Sequence, residues 1–218
     1  PNGRLHLIEV DLNARDSDLP IGFYHYFADL NNSLSGYSSM DWSTGQLVLE
    51  RNQSTTSYSA NTQSDADSYH ADLHVTDAGN IYAAMYNNTD LWSASYAGST
   101  WTNQKIAEDT GNNEGIIISS DSSGTPHIGW INHTSDKLII SIFDSSEWID
   151  VEIWESDGWA PGLRRSKLSL RFDSNDDLFL MSYNANSTNS ALIHHKVPLI
   201  NPAYSYNPVD HDTDGICD

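Results

Sequence analysis

Hydrophobic and polar residues alternate along many short stretches of this chain, and clusters of Asp, Ser, Asn and Gly separate those stretches. The alternation is plain in Lys167–Phe172, where every second residue is apolar, as expected for a strand with one buried face. No long segment carries apolar residues at the helical spacing. The pattern predicts an all-β protein built from short strands.

Three segments align with one another as strand, turn, strand and a closing Asn. We expect the turns to start at Asp77, Asp121 and Asp173, because an Asp side chain accepts hydrogen bonds from the backbone that follows it. Gly79 and Gly124 can supply a positive φ. The three segments are His70–Asn87, Ile116–Asn132 and Leu168–Asn184.

A third strand is predicted after each segment, and in two cases a fourth strand follows that begins at a tryptophan. Since Trp101 and Trp148 recur at one position of the repeat, we expect both to pack in the core. The predicted third strands are Asp90–Tyr96, Lys137–Phe143 and Ala191–Val197. The predicted fourth strands are Trp101–Ala107 and Trp148–Trp154.

The N-terminal region reads as a partial copy of the same unit. Gly3–Asp11 aligns with the second strand, and Gln46–Glu50, which follows Trp42, aligns with the fourth strand. Gly22–Asp29 is a further strand whose place the sequence leaves open. Because no first strand precedes Gly3, and the chain starts at Pro1, we expect it to be a fragment of a larger protein.

Four strands in roughly 45 to 52 residues is the layout of a propeller blade. The predicted fold class is therefore an all-β β-propeller with about four four-stranded blades over residues 1–197, either complete or part of a larger propeller. Residues 198–209 contain Pro198, Pro202 and Pro208, which exclude a central strand and favour a linker or a closing edge strand.

The repeat resembles extracellular propeller repeats of bacteria and archaea, in which an Asp turn is followed by Gly-x-Pro-His-Ile-x-Trp/Tyr. Ser119–Trp130 carries this pattern best, and the resemblance covers residues 3–197. It is looser to the blades of sialidase-type proteins, because one residue too many separates Asp121 from Gly124 for their Asp-box. The resemblance implies a propeller fold and an extracellular location, and it specifies no function.

The amino-acid composition argues against two classes of binding partner. The formal net charge is −20, with 30 acidic residues against 10 basic ones, so the chain lacks the basic footprint of a protein that binds nucleic acid or anionic membranes. It has no apolar run of 18 residues that could span a bilayer. Five Asn-x-Ser/Thr sequons are candidate glycosylation sites of a secreted or cell-surface protein: Asn31, Asn52, Asn87, Asn132 and Asn186.

Asp210–Asp218 places acidic side chains at alternating positions around a Gly, an arrangement that can wrap a hard cation such as calcium. The segment resembles the start of a thrombospondin type 3 repeat, and the alternative is a disordered acidic tail. The resemblance also implies that the single cysteine, Cys217, pairs with a cysteine outside this chain. The candidate calcium ligands are Asp210, Asp212, Asp214, the carbonyl of Ile216, and Asp218.

Catalytic and transition-metal chemistry has weak sequence support. His6 and His127 share a repeat position with Tyr82 and Phe179, which favours packing over metal binding, and no three histidines converge by spacing. Only six arginines are present, in unmatched positions, whereas a sialidase needs three that converge on one carboxylate. We therefore name no catalytic residue, although an enzyme is not excluded.

Three functions remain. The preferred hypothesis is a structural or adhesive surface module, joined to other chains or to further domains by a calcium-stabilised linker. The alternative is a carbohydrate-binding, lectin-like propeller, because exposed aromatic rings beside carboxylates are typical of sugar sites. The second alternative is a glycan-acting hydrolase, which would need two carboxylates facing one cleft, one of them with a raised pKa.

Overall fold

The computed structural model describes residues 3–11, 22–29, 42–50, 69–111, 115–135, 137–155, 168–185 and 190–197. Within these ranges all regular elements are β-strands, which confirms the all-β prediction. No helix in the described part of the chain is long and apolar enough to cross a membrane.

The strands form four antiparallel sheets, each of which follows the chain order as a meander. Sheet A contains β1 (Arg4–Asp11), β2 (Gly22–Asp29) and β3 (Gln46–Glu50). Sheet B contains β4 (Tyr69–Val75), β5 (Ile81–Asn87), β6 (Asp90–Tyr96) and β7 (Trp101–Ala107). Sheet C contains β8 (Ile116–Ser120), β9 (Pro126–Asn132), β10 (Lys137–Asp144) and β11 (Glu147–Glu155). Sheet D contains β12 (Leu168–Phe172), β13 (Leu178–Ala185) and β14 (Ser190–Val197).

Sheet A settles the place of the strand that the sequence left open, because Gly22–Asp29 is its central strand. A shared irregularity supports the view that β1 and β2 of sheet A are equivalent to the second and third strands of sheet B. The register between third and fourth strands shifts at Phe23/Tyr24 in sheet A, at Leu91/Trp92 in sheet B and at Leu138/Ile139 in sheet C. The prediction that Gly3–Asp11 is a second strand is therefore confirmed.

The sheets pack face to face in chain order, and each pair encloses an apolar core. Between sheets A and B, Phe23 and Val48 meet Ala83, Met85 and Ala94. The other two cores are larger, because branched and aromatic side chains fill them. Between sheets B and C lie Ala84, Tyr86, Leu91, Ile118, Ile128, Trp130 and Ile139. Between sheets C and D lie Ile131, Leu138, Ile140, Ile142, Val151, Ile153, Leu170, Leu178 and Leu180.

Trp101 and Trp148 pack at equivalent places, as their recurrence predicts. Each ring lies against an aromatic residue near the end of the third strand of its own sheet, with centroid distances of 5.2 Å to Tyr96 and 5.3 Å to Phe143. Each also reaches back to the preceding sheet, because Trp148 Nε1 donates to Ser93 Oγ at 3.0 Å and the Trp101 ring lies edge-on to a histidine of β2. The tryptophans therefore join successive sheets.

Candidate functional site

The turns between the first and second strands of sheets B, C and D have one backbone structure. In each turn the first N–H donates to the carbonyl of the fifth residue, and the fourth N–H donates back to the first carbonyl. The fourth residue has a positive φ of 85° at Gly79, 83° at Gly124 and 62° at Asp176. The turns therefore run over residues 76–80, 121–125 and 173–177.

This register corrects one expectation, since the turn of sheet B begins at Thr76 and not at Asp77. The side-chain oxygen of the first residue accepts the N–H of the fifth residue in all three turns. Thr76 Oγ1 accepts from Asn80 at 3.1 Å, as Asp121 Oδ1 accepts from Thr125 at 2.8 Å. A threonine hydroxyl thus replaces the carboxylate, and Asp77 lies one position further along, where it is exposed.

Two of these turns are joined to each other. Asp176 accepts the N–H of Ser122 at 2.8 Å and its hydroxyl at 2.5 Å, so one carboxylate bonds the turn of the neighbouring sheet through both oxygens. These bonds lower the pKa of Asp176, because they favour the ionised carboxylate. The two turns are therefore held in a fixed relation.

A cleft of about 260 Å³ opens where the three turns converge, and we call it the turn cleft. It contains the last residues of the three first strands, Val75, Ser120 and Phe172, together with His74 and turn residues. Those turn residues are Thr76, Asp77, Ala78, Asp121, Ser122, Ser123, Gly124, Asp173 and Asp176. Three sheets therefore contribute equivalent positions to one cavity.

His74 forms the base of the turn cleft on the side of sheet B. Its Nε2 lies 2.9 Å from Ser120 Oγ, which joins β4 to β8. Burial lowers the pKa of His74, an effect that the nearby Asp72 carboxylate partly offsets. The imidazole is therefore mainly neutral at pH 7, so it can donate or accept a hydrogen bond without carrying a charge.

Phe172 supplies the aromatic surface of the turn cleft. Its ring is half-buried and meets the buried His127 ring edge-on, at a centroid distance of 4.8 Å. His127 is held in turn by a hydrogen bond between Nδ1 and the carbonyl of Thr125, at 2.9 Å. This bond fixes the imidazole against which the Phe172 ring packs. The prediction that His127 is a packing residue is confirmed by these contacts.

A second polar cluster, absent from the sequence-based expectations, lies between sheets A and B. His6 Nδ1 and His25 Nε2 are 3.0 Å apart, and the two rings are parallel within 5°. Phe27, Tyr96 and Trp101 surround the fully buried His25 ring. Burial, together with the charge of a protonated His6, lowers the pKa of His25 to about 4.

Two carboxyl groups of the described residues have raised pKa values, and both lie outside the turn cleft, where they form structural hydrogen bonds. Burial raises the pKa of Asp72, whose Oδ2 accepts the N–H of Ile118 at 2.8 Å. Burial also raises the pKa of Asp150, which accepts a 2.5 Å bond from Ser141 Oγ. Neither Asp72 nor Asp150 lines the turn cleft, so neither can serve there as the general acid of a hydrolase.

In the described part of the chain, no three His, Cys, Asp or Glu side chains converge as a metal site. The predicted calcium segment and Cys217 lie outside the described residues. The candidate ligands there are Asp210, Asp212, Asp214, Ile216 and Asp218.

The two sequon asparagines in the described part of the chain, Asn87 and Asn132, differ in exposure. Asn132 is partly exposed at the turn after β9, and its Oδ1 accepts the N–H groups of Thr134 and Ser135 at 3.0 and 3.1 Å. It remains a candidate glycan acceptor. The other candidates outside the described residues are Asn31, Asn52 and Asn186.

Asn87 is not an exposed acceptor, although its sequon predicted one. Its side chain is buried, and its Nδ2 donates to the carbonyl of Glu50 at 3.0 Å. This bond joins β5 to β3 of the neighbouring sheet. A glycan on Asn87 would force the amide out of the interface between sheets A and B.

No family model and no curated protein matches the chain. Among solved structures, a fucose lectin from Kordia zhangzhouensis in complex with methyl-fucoside is similar. The similarity covers 63% of this chain and 100% of the lectin chain, with 17% sequence identity and a TM-score of 0.41. A TM-score this low carries no argument about function.

Proposed function

We propose that this chain is a carbohydrate-binding module of β-propeller type and that a neutral sugar binds in the turn cleft. The observation that carries the proposal is the convergence of three equivalent turns on one cavity that holds Phe172, His74 and several hydroxyl groups. Ligand sites in repeat proteins form where equivalent loops of successive units meet.

The propeller part of the proposal is supported by how the sheets succeed one another. The first strands β4, β8 and β12 lie next to each other in that order, and each sheet packs on the one that follows it. Propellers are built from meander sheets stacked around an axis in this manner. The register shift that sheets A, B and C share at the third strand supports their being copies of one unit.

The chemistry of the turn cleft matches a sugar. A pyranose presents C–H groups that pack on an aromatic ring and hydroxyl groups that need donors and acceptors. Phe172 offers the ring, Ser123 and Asp77 offer polar groups on exposed turn residues, and His74 offers an uncharged imidazole. Because the turns are held by internal hydrogen bonds, little order has to be gained on binding.

Charge selects among sugars. The lining of the turn cleft includes Asp77, Asp121, Asp173 and Asp176, and it includes neither lysine nor arginine. An anionic glycan, such as a sialylated or sulfated one, would meet like charges without a cationic partner. We therefore expect neutral sugars to bind and anionic ones to be rejected.

A substitution that fills the cleft tests this function. Ala78 is an exposed residue of the sheet B turn, and Ala78→Trp should occupy the cavity and weaken sugar binding at least tenfold. Ala97 is an exposed residue at the tip of the β6–β7 turn, outside the lining, so Ala97→Trp is the matched control. A glycan array of neutral and anionic sugars, fucosides included, selects the probe, and calorimetry measures its affinity.

Equal affinity of the two tryptophan variants would place the sugar elsewhere on the protein. Absence of any bound glycan on the array would reject the carbohydrate function itself. It would leave the structural or adhesive module as the better hypothesis, since that function requires no small-molecule site.

For the C-terminal segment we propose calcium binding in an extracellular or cell-surface setting, on the alternating acidic pattern of Asp210–Asp218. The double variant Asp212→Ala and Asp214→Ala should lose calcium uptake by this segment, because two of the candidate oxygen ligands are removed. Calorimetric titration with calcium measures it. Unchanged uptake in the double variant would contradict the assignment of these ligands.

A further inference from the structure

In each repeat, the side chains at the same positions of the second strand point towards the preceding sheet. Near the start of the strand, the residues at these positions are apolar in every repeat. In sheet B these positions are Ile81 and Ala83, which are 6% and 0% exposed, and Ala83 packs against sheet A. In sheet D, Leu178 and Leu180 are buried in the same way against sheet C. These positions therefore form the joint between successive sheets.

In sheet A the same positions are Leu5 and Leu7, and they are 37% and 46% exposed. Leu47, on β3, adds a further exposed apolar side chain, because it pairs with Tyr24 on the side of the sheet that carries Leu7. We call this surface the outer face of sheet A. No sheet of the described part of the chain lies against this face, on which Leu5, Leu7 and Leu47 are exposed whereas Tyr24 and Ala28 are buried.

The opposite end of the stack repeats this observation. Met181 on β13 occupies the position of Ala84 in sheet B and Gly129 in sheet C. Ala84 is buried between sheets, and a side chain at Gly129 would meet Leu180 of sheet D. Met181 is 37% exposed, and it shares its side of the sheet with Phe179 and Arg171. We call this surface the outer face of sheet D.

Both outer faces thus keep apolar residues at positions that are buried wherever another sheet follows. Exposed apolar surface costs free energy, and a contiguous patch of it on a soluble protein marks an interaction surface. The two faces are also complementary in charge, since Glu9 lies on the same side of β1 as Leu7 and Arg171 lies on the outer face of sheet D.

We propose that the outer face of sheet A packs against the outer face of sheet D of a second copy of this chain. The contact would continue the three joints inside the chain. In each of those joints, the side of one sheet that carries the residue equivalent to Met181 packs on the side of the next sheet that carries the residue equivalent to Leu7. It joins two different surfaces, so copies associate head to tail and close into a ring if the rotation allows.

Two single substitutions and their mixture test the arrangement. Leu7→Glu damages one face and Met181→Glu the other, and both residues are exposed, so neither change should unfold the chain. Sedimentation velocity of the full chain should show self-association of the wild type and at least a tenfold weaker association of each variant. Ala97→Glu is the matched control, because Ala97 is an exposed apolar residue of the β6–β7 turn that lies on neither face and outside the turn cleft.

The mixture separates head-to-tail from like-to-like contacts. Leu7→Glu chains retain an intact sheet D face, and Met181→Glu chains retain an intact sheet A face, so the two variants should form a mixed dimer although neither associates alone. A monomeric wild type at all concentrations overturns the proposal and leaves a partner other than a second copy. Loss of association in only one of the two variants, or no mixed dimer, overturns the head-to-tail contact.

Discussion

The joint between sheets B and C and the joint between sheets A and B use the same repeat positions but satisfy their polar groups differently. In the joint between B and C, Trp148 Nε1 donates to Ser93 Oγ at 3.0 Å. In the joint between A and B, Trp101 occupies the position of Trp148 and His25 the position of Ser93. There the Trp101 Nε1 is buried without a hydrogen-bond partner among the described residues.

The apolar side chains are also smaller in the joint between A and B than in the joint between B and C. Trp130 and Ile128 fill the joint between B and C, whereas Met85 and Ala83 occupy the equivalent positions in the joint between A and B. A buried polar group without a partner costs about 1–3 kcal/mol, and smaller side chains bury less apolar area. The comparison teaches that equivalent joints in one stack differ in stability, and that sheet A should separate before sheets B and C do.

The largest effect should come from emptying the stronger joint. Trp130→Ala removes a fully buried indole together with its hydrogen bond to Ser141, and should cost about 3–5 kcal/mol of unfolding free energy. Met85→Ala removes the equivalent side chain of the weaker joint and should cost less. Urea unfolding of both variants measures the difference, and an equal or larger loss at Met85 would contradict the ranking of the joints.

Acid should weaken the joint between A and B. The pKa of His25 is about 4 in the folded chain and about 6.5 when unfolded, so the unfolded chain binds more protons between these values. The contribution of His25 is therefore complete above pH 6.5 and is lost as the pH falls towards 4, by about 1–3 kcal/mol.

His25→Phe is the matched variant for this acid effect, because it keeps a ring among Phe27, Tyr96 and Trp101 but does not titrate. Stability curves from pH 7.5 to 4 should be flatter for His25→Phe than for the wild type. The comparison isolates His25 from His6, His74 and His127, whose pKa values are also lowered. Parallel curves would mean that the protonation of His25 does not affect folding.

The smallest effect distinguishes the two tryptophans. Trp148→Phe breaks a hydrogen bond and should cost about 1–2 kcal/mol beyond the lost packing. Trp101→Phe removes an N–H that has no partner among the described residues, so it should cost only the lost packing. Thermal unfolding of the two variants gives the difference, and a greater loss at Trp101 would mean that its N–H has a partner in solution.

The strand positions could be read from the sequence because their causes are local. Asp90–Tyr96 and Trp101–Ala107 were predicted with the bounds that the structure has, since alternation and the flanking turn residues are properties of neighbouring positions. The predicted start of the turn in sheet B was wrong by one residue. Thr76 and Asp77 can both cap such a turn, and only the backbone hydrogen bonds distinguish them.

The candidate sites were harder to predict. The sequence offers Asp and Ser at the turns, but it does not show that Asp176 reaches Ser122, 54 residues away, or that Phe172 faces a cavity. Nor does it show that His6 and His25 meet, because that contact depends on the pairing of β1 with β2 across residues that separate them by 19 positions. The burial of Asn87 likewise follows from a neighbouring sheet.

The sequence by itself determined the all-β class, the repeated unit, the strand order within each unit and the acidic character of the surface. These follow from periodicity, turn residues and charge counts, which do not depend on distant contacts. The tertiary structure alone decided which side chains share the turn cleft, which histidines meet and which repeat positions stay exposed at the two ends of the stack. The physical reason is that strand pairing and the stacking of sheets bring residues 19 to 54 positions apart within hydrogen-bond distance, and no local pattern encodes which pairs meet.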